Sequence, residues 1–180
     1  MAAVYGLRRG ECLGLMWKDI DWSTREIRVR QQMVVVKSKP TLAELKTDAS
    51  RRTLPLLGFI EEALDRRRVF QEEERLLAGS KWQETGLIFT TQVGTLFHTT
   101  NFQRQFKTHL KNAGLPPITF HSLRHTAASF MVALNVHPRI AMEILGHTNI
   151  ATTMDIYSHA QQADMRGALE SVENALRGVQ

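Results

Sequence analysis

The stretch FHSLRHT, residues 120–126, brings His121, Arg124 and His125 within five positions of one another. A helix here sets the three at i, i+3 and i+4, on one face. Two imidazoles and a guanidinium on one side leave three readings open: a metal site, a polar core position, or a trap for an anion. The zinc-protease helix has two histidines at this spacing, but it needs a glutamate directly after the first as general base. Ser122 stands there instead. Arg124 is cationic at every physiological pH and would share the face with the metal, and no third ligand follows at helical spacing. An anion fits better, because the planar fork of arginine matches phosphate oxygens and imidazole donates or accepts beside it. His125 is expected to be a satisfied core histidine, and His121 reads either as an ordinary helix N-terminal residue or, with Arg124, as part of an anion site.

The rest of the chain bears on which anion. It has 180 residues, 43% of them apolar, enough for one domain with its own core. There are 23 Lys and Arg against 18 Asp and Glu, a net charge of +5, which favours an acidic partner such as nucleic acid or a membrane surface. Residues 25–52 hold eight basic side chains against three acidic ones, a surplus equal to the whole net charge. Two readings of that segment stay open: a soluble β-ribbon whose lysines blunt its edge, or a ribbon lying against a phosphate backbone. Cys12 is the only cysteine, so intrachain disulfides and cysteine zinc sites are excluded, and it is read as a small core residue. No apolar run approaches the roughly 20 residues of a membrane helix. Residues 1–7 lack the basic and apolar regions of a signal peptide. The expectation is a soluble, cytoplasmic protein with no membrane partner.

Hydrophobic periodicity gives the elements. A helical pattern runs through Leu7, Leu13, Leu15, Met16 and Trp17. REIRVRQQMVVV, residues 25–36, reads as one strand, and TLAELKT and RRTLPL as two more, which together predict a three-stranded antiparallel sheet. Residues 60–77 read as a helix whose mixed charges form a solvated face. LIFTT, residues 87–91, is a short strand or extended segment. A helix follows with Thr100 or Asn101 as N-cap and Gly114 at its end, then helices at 121–134, 137–146, 149–156 and 161–177, with Pro138 in a first turn. The fold class is α+β, a mainly helical domain with a small sheet.

Downstream, EILGHTNIATTMDIYSH places Gly146 and His147 at a helix end and Tyr157 ten residues after His147. The segment from His121 to His159 resembles the catalytic domain of the tyrosine recombinases, the phage integrase family, whose pattern is H-x-x-R, then L-G-H, then a tyrosine. GLRRGECLGLMWKDID is similar to the family's first arginine box, with Arg8 as its arginine and Glu11 three residues on. LKTDASRRTLPL is similar to the hairpin that carries the family's lysine, here Lys46. The six elements occur in the family's order over nearly the whole chain.

The resemblance implies a site-specific DNA recombinase, encoded by a bacterium, phage or mobile element. It implies a site made of Arg8, Lys46, His121, Arg124, His147 and Tyr157, working without metal, ATP or cofactor. Arg8 and Arg124 would clamp the phosphate oxygens and His147 would add a hydrogen bond. Tyr157 would attack with His121 as base, and Lys46 would protonate the leaving 5′-oxygen. Glu11 is expected to orient Arg8 rather than touch substrate. The partner implied is double-stranded DNA, with a homotetramer on paired sites. Residues 1–180 read as the catalytic domain alone, a monomer by itself, with the core-binding domain of the family not included. Helix 161–177 carries an apolar stripe of Met165, Leu169, Val172 and Leu176. It is open whether that stripe packs on its own domain or docks on a neighbouring protomer. A nicking-closing activity of type IB topoisomerase kind needs the same residues and is the alternative activity; a non-catalytic DNA-binding fragment is the other alternative.

Overall fold

The structure, a computed structural model, describes residues 1–47, 50–146 and 177. Two short helices open the chain, α1 (Ala2–Tyr5) and α2 (Arg9–Gly14). The single helical pattern expected over this region is interrupted at Gly6, whose φ of 63° is left-handed. A β-carbon there would also lie 2.3 Å from the Leu145 side chain, so the break is fixed by packing as well as by backbone.

Five strands follow: β1 (Ile20–Asp21), β2 (Glu26–Val29), β3 (Gln31–Val36), β4 (Lys39–Glu44) and β5 (Arg52–Pro55). They form two antiparallel sheets, β1-β2-β5 and β3-β4. The long strand expected over 25–36 therefore breaks at Arg30, and TLAELKT does not join RRTLPL. The registers give the reason. Val29 pairs with Arg52, whereas Gln31 pairs with Glu44. A single residue on one side, Arg30, thus faces the gap from 44 to 52 on the other. The described residues between β4 and β5 have no partner strand; Leu45 at their start is buried in the core, and Lys46 follows it. Beyond Arg30, β3 and β4 close on a two-residue turn in which Lys37 and Ser38 both have positive φ, the primed geometry of tight hairpins.

The largest helix, α3 (Gly58–Ala78), buries Ile60, Leu64 and Gln71 along one stripe. Its charges are not all on a solvated face: the Arg67–Glu74 pair, at 2.9 Å, is mostly buried, and Arg67 also donates to the Ile88 carbonyl. LIFTT forms no full strand. Its Leu87 bridges to Met16, and Ile88 N–H donates to the Leu15 carbonyl.

Helix α4 (Thr99–Asn112) starts two to three residues earlier than expected, with His98 as N-cap, and Gly114 turns left-handed just past the C-cap Ala113. Helices α5 (Phe120–Ala133) and α6 (Pro138–Leu145) follow, with Pro138 in the first turn of α6 as expected. Among the described residues the domain is mainly helical with two small antiparallel sheets, and no helix there is long and apolar enough to cross a membrane.

The main core joins α1, α2, the three-stranded sheet and α3 through Leu7, Leu15, Ile27, Leu54, Ile60 and Ile88. Cys12 is part of it, and burial pushes its thiol up to about 11, which leaves it a protonated core side chain. A smaller cluster, including Ala127, Met131, Ala141 and Leu145, holds α5 against α6. Helix α1 packs on α5, which brings the first residues of the chain beside the HSLRH helix.

Candidate active site

Glu11 is the fixed point of the site. Its carboxylate is 0% exposed. Its Oε1 accepts from Arg8 Nη1 at 2.7 Å, and its Oε2 accepts from the Arg8 backbone N–H at 3.1 Å and from Arg52 Nη2 at 3.0 Å. Arg8 is the N-cap of α2 and Glu11 its third helical residue, so one carboxylate caps the helix and grips the arginine side chain. Burial alone would push the Glu11 pKa up. The Arg52 charge and the hydrogen bonds from Arg8 and Arg52 outweigh it and hold the carboxyl below the usual glutamate value.

The end of α6 completes the arrangement. Its last carbonyls have no partner within the helix and carry the negative end of its dipole. Three successive ones are each taken by a different arginine: Ile144 O by Arg52 Nε at 2.7 Å, Leu145 O by Arg124 Nη1 at 2.7 Å, and Gly146 O by Arg8 Nη2 at 3.1 Å. Gly146 stops the helix with φ 65° and ψ 46°. A β-carbon on it would come within 2.6 Å of Arg52 Nη1, so glycine is required by backbone and by contact.

Arg124 is 5% exposed, and its Nη1 also donates to the Gly6 carbonyl at 2.6 Å. Its Nη2 is buried with no hydrogen-bond partner among the described residues. Burial first, and then the charge of Arg8, lower its pKa to about 10, so it remains cationic at neutral pH. A buried, charged donor left open beside a half-exposed Arg8 is a place for an oxyanion.

Thr119 caps α5 by accepting from the Ser122 N–H at 3.1 Å. Packing on α1 and α6 selects the buried face of the helix: Arg124 points inward, while His121 and His125 are exposed, their rings edge-on with centroids 4.8 Å apart. His125 is therefore not a core histidine, as the sequence pattern suggested. Arg124 also does not share the exposed face, so its charge does not stand where the two imidazoles would hold a metal. Burial lowers the His121 pKa, and the charges of His125, Arg124 and Arg8 lower it further, which favours the neutral imidazole. A cleft of about 600 Å³ opens here, lined by Arg8, Met33, Lys107, Phe120 and His121. A larger cavity, about 690 Å³ and rich in phenylalanine, lies against the α3 side of α4 and contains none of the clustered arginines.

The structure thus brings Arg8, His121 and Arg124 together. Lys46 lies exposed just after β4, and among the described residues no hydrogen bond or ion pair joins it to the cluster. His147, Tyr157 and the stripe of helix 161–177 lie outside the described residues. Arg52 was counted in the sequence only as part of a basic ribbon, yet its side chain is 7% exposed and binds Glu11. Alternation in RRTLPL carried the signal. Leu54 and Leu56 are buried, the same parity turns Arg52 inward, and an inward arginine requires a buried carboxylate.

A family model described as the phage integrase family matches residues 1–164. The chain is 35% identical to a tyrosine recombinase XerC-like protein of Caldanaerobacter subterraneus, over 94% of this chain and 46% of that protein. It is 29% identical to the ICEBs1 integrase of Bacillus subtilis, over 96% of this chain and 47% of that one. The chain therefore spans about half the length of these relatives. In fold it is similar to the integrase of the Tn1549 transposon, solved in complex with transposon right-end DNA. The TM-score is 0.80 at 23% identity, covering 96% of this chain and 56% of the other. XerA recombinase is similar with a TM-score of 0.66 at 24% identity, covering 94% of this chain and 54% of that one.

Proposed function

Because the chain belongs to the phage integrase family, we propose that it is the strand-cleaving and rejoining part of a site-specific DNA recombinase. The observation that carries this reading is the open Nη2 of buried Arg124, set beside Arg8 and next to neutral His121. A phosphodiester reacting with a nucleophile gathers negative charge on its non-bridging oxygens, and fixed donors in a water-poor site stabilise that charge. Arg8 and Arg124 bind those oxygens, and His147 adds a donor.

Tyr157 is the nucleophile. A free phenol has a pKa of about 10 and needs a base at neutral pH. His121, held neutral, takes the phenolic proton as the Oη–P bond forms. The P–O5′ bond breaks, and Lys46 gives its proton to the leaving oxygen. The products are a 3′-phosphotyrosyl link and a free 5′-hydroxyl. The link conserves the bond energy, so attack by another 5′-hydroxyl reverses the steps without ATP, and no step draws on a metal ion. Glu11 touches no DNA and orients Arg8. On paired DNA sites four chains act together, with helix 161–177 docking on a neighbour.

The test uses a library of nicked duplexes with randomised sequence around the nick, in which the released fragment diffuses away. Covalent adducts are recovered under denaturing conditions and sequenced. The expected result is an adduct on Tyr157 that disappears in Tyr157→Phe. No adduct on any duplex, or one that survives Tyr157→Phe, overturns the proposal. Closure of a single nicked site without joining of two duplexes points to the nicking-closing alternative.

A further inference from the structure

Arg52 is the one charged side chain that ties three separate parts of the site together. Its Nη2 binds Glu11, its Nε binds the Ile144 carbonyl, and its Nη1 donates to the Ser50 carbonyl at 3.1 Å. Ser50 lies in the segment between β4 and β5, and its N–H donates to the carbonyl of Thr47, the residue after Lys46, at 3.0 Å. A second bond secures that segment at its other end, Arg51 Nε to the Leu45 carbonyl at 3.1 Å. Lys46 itself is exposed. Its position relative to Arg8 is therefore set through the backbone on either side of it, and Arg52 is where that backbone meets the Glu11–Arg8 pair.

From this geometry we infer that Arg52 is a positioning residue that registers the Lys46-bearing segment to the phosphate-binding arginines. The inference rests on the proposed function, in which Lys46 protonates the leaving oxygen. Arginine is required for its shape. Three bonds leave one planar fork in three directions, toward a carboxylate and two carbonyls. A lysine at 52 keeps the charge beside Glu11 but cannot hold both carbonyls as well. It leaves the buried carboxylate paired and the segment free to shift. A displacement of about 1 Å at a reacting group can cost about 10²-fold in rate.

Leaving-group chemistry provides the test. A duplex selected by the adduct library is made in two forms, one with the ordinary bridging 5′-oxygen and one with sulfur in its place. A thiolate leaves without a proton, so a defect in delivering that proton is absent on the sulfur substrate, whereas a defect in binding the phosphate remains. Single-turnover cleavage is measured for the unsubstituted chain, Arg52→Lys, Arg52→Gln and Lys46→Ala. Each assay is run below the melting midpoint read by circular dichroism, so that rates belong to folded protein.

Arg52→Lys is expected to lose about 10²-fold on the oxygen substrate and to cleave the sulfur substrate at close to the unsubstituted rate, as Lys46→Ala does. Full activity of Arg52→Lys and Arg52→Gln on oxygen overturns the inference. So does an equal loss on both substrates, which would place Arg52 with the phosphate clamp alone. If the unsubstituted chain cleaves neither form, the proposed function fails instead, a separate result.

Discussion

Arg8 and Arg124, 116 positions apart in the sequence, end on neighbouring carbonyls of one helix terminus, Gly146 at 3.1 Å and Leu145 at 2.7 Å. Each is braced at a second point as well, Arg8 by Glu11 and Arg124 by the Gly6 carbonyl. Two cations are thus held near each other by dipoles and a carboxylate before any phosphate arrives. A site organised in this way gives up little orientational freedom on binding its anion.

Replacing Gly146 tests how closely that terminus is fitted. In Gly146→Ala the left-handed backbone alone costs about 1–2 kcal/mol, and the new methyl displaces the Arg52 guanidinium, 2.6 Å from its position. Urea unfolding is expected to show a loss of at least that size. Retention of full stability would mean that Arg52 and Gly146 do not meet as described.

Glu11 predicts an acid limb in stability. Its folded pKa lies below the unfolded value of 4.5, so the unfolded chain binds the proton more readily. The contribution of Glu11 is therefore complete above pH 4.5 and is lost as the pH falls through its folded value. Glu11→Gln leaves Arg52 buried without its counter-charge, which costs about 3–5 kcal/mol at neutral pH. The gap between the two proteins should narrow steadily below pH 4.5 in denaturant titrations. A gap independent of pH would contradict the buried ion pair.

His121 predicts a pH limb in rate. With its pKa lowered below 6.5 by burial and by the charges of His125, Arg124 and Arg8, cleavage should rise with pH through a midpoint below 6.5 and then level off. His125→Ala removes one of those causes, so its midpoint should move up toward the ordinary value. His121→Gln is expected to cut the rate by about 10²–10⁴-fold and to remove the limb. An unmoved midpoint in His125→Ala would separate the two rings electrostatically despite their contact.

The β3–β4 turn decides between the two readings of the basic ribbon. Lys37 and Lys39 flank its exposed tip. If the tip rests on phosphate, the slope of log affinity against log salt should fall by about 1 for each of Lys37→Gln and Lys39→Gln. Slopes unchanged in both variants would leave the lysines as edge protection only.

The sequence shows some parts of this molecule well, for reasons visible in single residues. Arg8, His121 and Arg124 stand in local patterns with fixed spacing, and helices such as α5 and α6 carry their own start signals, the cap Thr119 and the first-turn Pro138. The division of the strands depends instead on which partner each residue finds, Arg52 for Val29 and Glu44 for Gln31. Nothing within REIRVRQQMVVV marks that change. The direction of His125 and Arg124 was hidden for a related reason. Three residues on one helical face span an arc, and only the packing of α5 on α1 and α6 selects which edge of the arc is buried. Arg52 was obscured by its neighbours, because a run of basic residues suggests a surface until the strand parity is traced.

The acceptors at Ile144, Leu145 and Gly146 come late in the chain, while the arginines that use them are at 8, 52 and 124. During synthesis the three donors leave the ribosome before the carbonyls they share, so the end of α6 is the last part of this arrangement to join. A chain that stops between residues 124 and 144 holds all three guanidiniums and none of these anchors.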